Sequence, residues 1–246
     1  MSQPQEPLSF SIVVPAHNEE HYIEKTLRSL AESNYPRERF EVIVVENGSS
    51  DATAQVASAC AEFLPALQVI STPEAGVSPA RNRGIEVMNA STDWAIFLDA
   101  DVTVESDFLQ TLNEFLQEPK NAKKVIGTLT LSPDPQTLAM GFIFVCSNVL
   151  CLLFRSTYGG ACFVRRDVLL HEKFRESMRV GEDSEFTNRV KKYGGYFFLM
   201  TDKVATSTRR YRNGGWKSIP LYLGTGLIGE FAPLAWKDKF SYKAVR

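Results

Sequence analysis

Two carboxylates, Asp99 and Asp101, stand one residue apart immediately after the apolar run Trp94-Ala95-Ile96-Phe97-Leu98. Held side by side they repel each other, and a divalent cation is the natural compensation. Mg²⁺ or Mn²⁺ carried on a diphosphate suits them, because one or two protein carboxylates plus phosphate oxygens complete the shell of such an ion. An isolated Asp-x-Asp is otherwise a solvated acidic corner, so its meaning rests on the elements around it.

To bind a ligand the pair must sit at the carboxyl end of a buried parallel strand, the edge that open α/β sheets use. The run 94–98 is apolar enough to be covered on both faces. Three similar units precede it. Ser11-Ile12-Val13-Val14 predicts a strand that ends in Pro15-Ala16-His17-Asn18-Glu19-Glu20, and Ile23, Leu27, Leu30 and Ala31 follow at helical spacing. Val42-Ile43-Val44-Val45 predicts a second strand, ending in the turn Glu46-Asn47-Gly48-Ser49-Ser50-Asp51, with Ser50 or Asp51 capping the next helix. Leu67 to Ile70 predicts a third, and Ser78-Pro79 reads as cap and first position of a helix carrying Arg81, Asn82 and Gly84. A helix over 106–116, capped by Ser106 or Asp107, follows the fourth strand.

Strand and helix in alternation predict an α/β fold with a mostly parallel mixed sheet and helices on both faces. Beyond residue 120 the pattern changes. Val125 to Leu131 alternates polar and apolar until Pro133 and Pro135 break it, and 161–165 is a short strand candidate. Glu182-Asp183 precedes a helix with Phe186, Val190 and Tyr193 inward, where Asp183 also reads as a plain cap, and Tyr196 to Met200 reads as the last strand. A basic, aromatic tail follows, with Arg209, Arg210, Arg212, Trp216 and Lys217.

The 246 residues are 44% hydrophobic with a formal net charge of -2, which fits one α/β domain with a real core and argues against a nucleic-acid-binding surface. The 4 cysteines form no Cys-x-x-Cys pair and read as reduced, buried small hydrophobes. Residues 1–9 are polar and do not resemble a secretory leader, so a cytoplasmic protein is expected. The apolar segment 138–154 is short of a spanning helix; it is expected to be a core helix, the alternative being a helix at a lipid interface on the inner face of the membrane. No dinucleotide glycine fingerprint, P-loop or Gly-x-Ser-x-Gly elbow is present, and 3 histidines make a histidine-built zinc site a poor fit.

Six pieces in order carry a resemblance: Ile12-Val13-Val14-Pro15-Ala16-His17-Asn18-Glu19-Glu20; Val44-Val45-Glu46-Asn47-Gly48-Ser49-Ser50-Asp51; Gly76-Val77-Ser78-Pro79-Ala80-Arg81-Asn82-Arg83-Gly84; Leu98-Asp99-Ala100-Asp101; Gly159 to Arg166; and Gly181-Glu182-Asp183. Over residues 10 to about 215 the chain resembles the family 2 inverting glycosyltransferases, which have the GT-A nucleotide-sugar fold. The resemblance implies one domain over 1–246, with a nucleotide-sugar-binding half at about 10–120 and an acceptor-binding half and tail at about 121–246. It implies that Pro15, Ala16, Glu19 and Glu46 line the nucleoside pocket, with Arg81 facing the base or diphosphate. Asp101 would bind the metal, with Asp99 on the ribose or the metal's water shell, and Arg209 and Arg210 would close over the diphosphate. Asp183 would be the general base; residue types alone leave Glu182 competing for that role or contacting the acceptor, as Trp216 does if it stacks on a sugar.

The expected reaction is transfer of a sugar from a UDP, GDP or dTDP donor to a saccharide or lipid-linked hydroxyl, assisted by Mn²⁺ or Mg²⁺. Glu46 stands where the family more often has Asp, and Asn47 where a second Asp is common, so the base stays open. Two other functions compete. A nucleotidyltransferase needs a Gly-rich basic loop after the first strand, which Pro15 to Glu20 lacks; a non-catalytic sugar- or lipid-associated scaffold has no need of Asp99, Asp101 and Asp183.

Overall fold

The computed structural model describes residues 5–64, 66–157, 160–178 and 181–209. The β-branched runs of the first half become strands because both their faces are buried: Ile12, Val13 and Val14, and Val42 to Val45, are wholly enclosed. In chain order these are β1 (Phe10–Ala16), α1 (Ile23–Ala31), β2 (Phe40–Asn47), α2 (Thr53–Ala59), β3 (Leu67–Thr72), α3 (Val77–Val87) and β4 (Trp94–Leu98). The second half adds β5 (Val102–Val104), α4 (Phe108–Gln117), β6 (Lys124–Leu129), β7 (Ser132–Asp134), α5 (Leu138–Phe154), β8 (Ala161–Arg165), α6 (Arg166–Leu169), α7 (Glu182–Val190), β9 (Gly195–Leu199) and β10 (Val204–Ser207).

The main sheet has seven strands in the order β3-β2-β1-β4-β8-β6-β9. All its neighbours pair in parallel except β8, which runs against both β4 and β6. The expected mixed, mostly parallel α/β sheet is therefore present. Alternate side chains feed two cores. Ile12 and Val14 meet Leu27 and Leu30 of α1, Ala57 of α2 and Leu112 of α4 on one face. Val13, Ile43 and Val45 meet Ala80 of α3, Leu169 of α6 and Phe186 of α7 on the other. A smaller sheet, β5-β10-β7, carries the chain across the carboxyl end of the main one.

Several local expectations are corrected. Glu46 and Asn47 belong to β2 rather than to the turn, because β3 continues to pair with them through Ser71 and Thr72. Helix α3 begins at Val77, with Gly76 as its cap residue, so Ser78-Pro79 lies inside the first turn. Glu182 and Asp183 lie in the first turn of α7, capped by Gly181 in the left-handed region, and Asp183 is not a cap. Tyr193 stays exposed because α7 has given way to a 3₁₀ turn there. Residues 125–129 are buried throughout, since β6 lies between β8 and β9, and β10 follows the strand expected to be last. Pro133 does not end regular structure; it sits on β7, an edge strand where a missing N–H costs nothing.

The largest correction concerns α5. It is not a core helix: Ile143, Phe144 and Cys151 are buried, whereas Leu138, Phe142, Val145, Leu152 and Leu153 are exposed. Asn148 anchors it, accepting from Leu131 N at 3.2 Å and donating to Leu131 O at 3.1 Å. Among the described residues no helix is long and apolar enough to cross a membrane.

Close packing of α3 on β1 rests on Gly84, where an added Cβ would lie 2.3 Å from Val13 Cγ1. Gly84→Ala is expected to destabilise the protein by about 1–3 kcal/mol through overpacking, read as a drop in Tm. An unchanged Tm would mean that α3 approaches the sheet less closely than described.

Candidate active site

The site grows from the ends of adjacent parallel strands. Pro15 pairs in register with Val45, and Ala16 with Glu46, so the residues after β1 and β2 emerge side by side. Their loops are laced together. Asn18 N donates to Ser49 Oγ at 3.0 Å, Ser50 N donates to Asn18 Oδ1 at 2.7 Å, Glu19 N donates to Thr53 Oγ1 at 2.7 Å, and Ala52 N donates to Glu20 Oε2 at 2.9 Å. Gly48 makes this possible: its φ is +71°, and a Cβ there would meet Pro73 O at 2.9 Å. Buried Glu46 accepts from Ser49 N at 2.5 Å. Beside it, Asn47 Nδ2 donates to Gly76 O at 3.1 Å, tying β2 to the start of α3. Asn47 Oδ1 and Ser78 Oγ are buried and have no hydrogen-bond partner among the described residues. That is unspent polar capacity at the mouth of the sheet.

Asp99 and Asp101 follow β4 as expected. The backbone of Asp99 donates to Gly160 O at 3.1 Å, and Asp101 O accepts from Ser207 N at 3.1 Å. That second bond continues the β5–β10 ladder and delivers Arg209 to the carboxylates. Arg209 Nε lies 3.2 Å from Asp101 Oδ2, its Nη2 donates to Glu19 Oε1, and its Cζ sits 4.1 Å from the centre of the Tyr22 ring. A residue almost 200 positions from Glu19 in sequence thus closes the β1 end of the site.

Arg81 organises the other side. Its side chain is 3% exposed. Nη1 donates to Asp183 Oδ1 at 2.5 Å and lies 3.8 Å from Glu182, while Nη2 lies 3.9 Å from Asp99. Burial alone would disfavour the guanidinium charge, but Asp183, Glu182 and Asp99 outweigh it and hold its pKa above the ordinary value. Burial in turn pushes Glu182 up to about 7, with the Asp183 charge adding and Arg81 opposing. Asp183 is also raised by burial, against the pull of Arg81. Behind α7, Thr157 Oγ1 donates to Asp183 O at 3.3 Å and Ser156 Oγ to Ser184 Oγ at 2.9 Å. Burial likewise pushes the neighbouring Cys162 thiol up to about 12, so it stays protonated and is no nucleophile.

The structure therefore brings Glu19, Asp101 and Arg209 into one group and Arg81, Asp99, Glu182 and Asp183 into another, with Pro15, Ala16 and Glu46 at the adjoining strand ends. Arg81 touches carboxylates at the α7 side. Arg210 and Trp216 lie outside the described residues. Residues that sequence reasoning left without a role include Tyr22 under Arg209, and Asn82 and Phe174 beside Arg81. Asn82 was signalled only by its place in the motif, and Phe174 by nothing local.

Among the described residues no group of three or more His, Cys, Asp and Glu could hold a metal ion. Asp99 and Asp101 supply hard oxygen donors, so a divalent cation fits here as one shared with phosphate oxygens rather than caged by protein. An α/β sheet with this pair at its carboxyl edge and a buried acid across from it has the GT-A architecture. The chain belongs to glycosyl transferase family 2, whose family model matches residues 11–170.

Its relatives include the probable glycosyltransferase YdaM of Bacillus subtilis, 30% identical over 200 residues, spanning 75% of this chain and 47% of that protein. The poly(ribitol-phosphate) beta-N-acetylglucosaminyltransferase TarS of Staphylococcus aureus is 26% identical over 203 residues, 80% of this chain and 35% of that one. The chain thus spans about half or less of the length of these curated relatives. Among solved structures, the mannosyltransferase PcManGT from Pyrobaculum calidifontis in complex with GDP-Man and Mn²⁺ has a TM-score of 0.72 at 21% identity, over 97% of this chain and 66% of that one. S. aureus TarS 1–349 in complex with UDP-GlcNAc has a TM-score of 0.65 at 19% identity, over 94% and 70%. These two likenesses show the fold.

The raised Glu182 carries a pH signature. Its pKa is about 7 in the folded chain against an ordinary 4.5, so stability from this group is full below about pH 4.5 and is lost as pH rises through 7. Glu182→Gln removes that loss. The difference in Tm between variant and wild type is expected to be near zero at about pH 4.5 and positive at about pH 8. Equal differences at both values would show that Glu182 is not held protonated.

Proposed function

We propose that this protein is an inverting glycosyltransferase that moves a sugar from a nucleoside-diphosphate sugar to an acceptor hydroxyl by direct displacement. The observation that carries this is the buried Arg81, which spans from Asp99 at the sheet edge (3.9 Å) to Asp183 at the start of α7 (2.5 Å). The acids assigned to the diphosphate side and to the acceptor side are thereby tied to one guanidinium. The same placement supports dividing the chain into a donor half at about 10–120 and an acceptor half from about 121.

Pro15, Ala16, Glu19 and Glu46 would line the nucleoside pocket, where Asn47 Oδ1 and Ser78 Oγ have polar capacity to spend. Asp101, with Asp99, would hold Mn²⁺ or Mg²⁺ shared with the donor, and the ion when bound supplies charge stabilisation for the departing diphosphate. Arg209, already at Asp101, would turn to the diphosphate, and Arg210 would act beside it. Asp183 would take the proton of the acceptor hydroxyl as that oxygen attacks the anomeric carbon. The bond from that carbon to the diphosphate oxygen breaks with its electron pair, leaving an inverted glycoside and a nucleoside diphosphate. Glu182, its pKa raised by burial, would contact the acceptor beside Asp183.

UDP and GDP sugars are the first donors to try, because TarS 1–349 and PcManGT are described with UDP-GlcNAc and GDP-Man. A polymer-borne hydroxyl is the first acceptor to try, because the activity named for TarS is on poly(ribitol-phosphate). The exposed apolar side of α5 supports contact with a lipid surface, and the four cysteines, none in a disulfide among the described residues, fit the cytoplasmic face.

Three outcomes test this. A thermal-shift panel of UDP, GDP and dTDP sugars, with and without Mn²⁺, should single out one base with a rise in Tm that requires the metal. Asp101→Ala and Asp183→Asn should each lower kcat roughly 10²-fold or more with Tm retained, whereas loss confined to Glu182→Gln would move the base role to Glu182. Phe142→Glu with Leu153→Glu should weaken co-sedimentation with liposomes; unchanged binding would remove α5 as the contact.

A further inference from the structure

Asn82 stands next to Arg81 on α3 and is 4% exposed. Its carboxamide is spent entirely on a loop more than ninety residues away. Phe174 N donates to Asn82 Oδ1 at 2.9 Å, and Asn82 Nδ2 donates to Phe174 O and to Glu176 Oε1, each at 2.9 Å. The clamped residue, Phe174, lies with its ring 5.1 Å from Arg81 Cζ. The same ring stacks on Phe186 of α7 at 4.0 Å and meets the edge of Phe97 of β4 at 5.1 Å. From α7, Arg189 Nη2 donates to Lys173 O at 2.8 Å and Nη1 to Glu172, while Arg175 Nε pairs with Glu185 at 3.0 Å. Loop 172–176 is therefore strapped to α3 by Asn82 and to α7 by two arginines, with an aromatic platform under the guanidinium that holds Asp183.

We propose that Asn82 and Phe174 are positioning residues for Asp183, acting through Arg81, which deepens and rests on the base role assigned above. The physical need is plain. The site must hold the base against an acceptor oxygen, and the cation bonded to the Asp183 carboxylate is a long side chain from another element, Arg81 of α3. Arg81 can place Asp183 reproducibly only if its own guanidinium is fixed. A flat ring beneath it and a doubly hydrogen-bonded amide holding that ring remove the freedom that a lone arginine would keep. A displacement of about 1 Å at such a group is worth roughly 10²-fold in rate. Arg81 is bonded to Asp183 at 2.5 Å and lies farther, at 3.9 Å, from Asp99 on the donor side, so turnover should respond more than donor affinity.

The test is steady-state kinetics with Tm for Asn82→Ala, Phe174→Leu and Phe174→Tyr, each in the wild-type and Asp183→Asn backgrounds. Asn82→Ala and Phe174→Leu should lower kcat roughly 10-fold or more while donor KM stays within about twofold, and Phe174→Tyr, which keeps the ring, should retain turnover. In the Asp183→Asn background Asn82→Ala should add less than about twofold, because the group it positions is gone. Equal losses in both backgrounds, or a parallel rise in donor KM, would show a general structural role and overturn the clamp. If Asn82→Ala does not fold, Phe174→Leu carries the same reading. Asp183→Asn with near wild-type turnover would overturn the base assignment and the clamp with it. Loss in Asp183→Asn alone, with Asn82→Ala and Phe174→Leu fully active, would overturn the clamp and leave the base standing.

Discussion

A buried guanidinium surrounded by three carboxylates is the constraint on which this site depends. Asp99, Glu182 and Asp183 come from two elements more than eighty residues apart, and each would pay heavily for losing water if left alone. Arg81 makes their convergence tolerable. One cation cannot neutralise three acids, so the surplus appears as protonation: Glu182 is pushed up to about 7 while Asp183 keeps the direct hydrogen bond. Burial raises both adjacent carboxyls, and Asp183 alone of the two takes the arginine's direct hydrogen bond. Removing the arginine would strand buried charge, a loss of the order of 3–5 kcal/mol for pairs of this kind.

A second cation does comparable work at the other end. Arg209 reaches Asp101 and Glu19 because β10 pairs with β5 and Ser207 bonds to Asp101 itself. The small sheet thus delivers a positively charged side chain to Asp101 at the carboxyl edge of the main sheet. Its partners there are Asp101 and Glu19, so one arginine holds an acid that follows β4 and an acid that follows β1 together. Site and scaffold are linked by a few short ladders.

Helix α5 shows how layer counting overrides composition. Its seventeen residues are almost wholly apolar, which in isolation suggests a core element. Yet both faces of the main sheet are already covered, one by α1, α2 and α4 and the other by α3, α6 and α7. With no open face left, α5 packs along β7, held by Asn148, and leaves much of its apolar surface outward. Its chain leads through Ser156 and Thr157 straight to the back of α7, where Thr157 Oγ1 donates to Asp183 O.

What the amino-acid order determined by itself was local and periodic. Runs such as Val42 to Val45 read as doubly buried strands, Gly48 marks the turn that ends the second strand, and an apolar strand ending in Asp99 and Asp101 announces a sheet edge. The mostly parallel α/β fold and the residues at the strand ends were legible for that reason, while family 2 membership was legible from the resemblance carried by six motif pieces in order. Tertiary structure alone decided the rest. That Arg81 bonds to Asp183, that burial raises both Glu182 and Asp183, that Tyr22 underlies Arg209, and that Asn82 holds Phe174 all depend on contacts between residues tens to nearly two hundred positions apart. No periodicity encodes such contacts, because a side chain's charge and partners are fixed by the dielectric and the neighbours that folding puts around it.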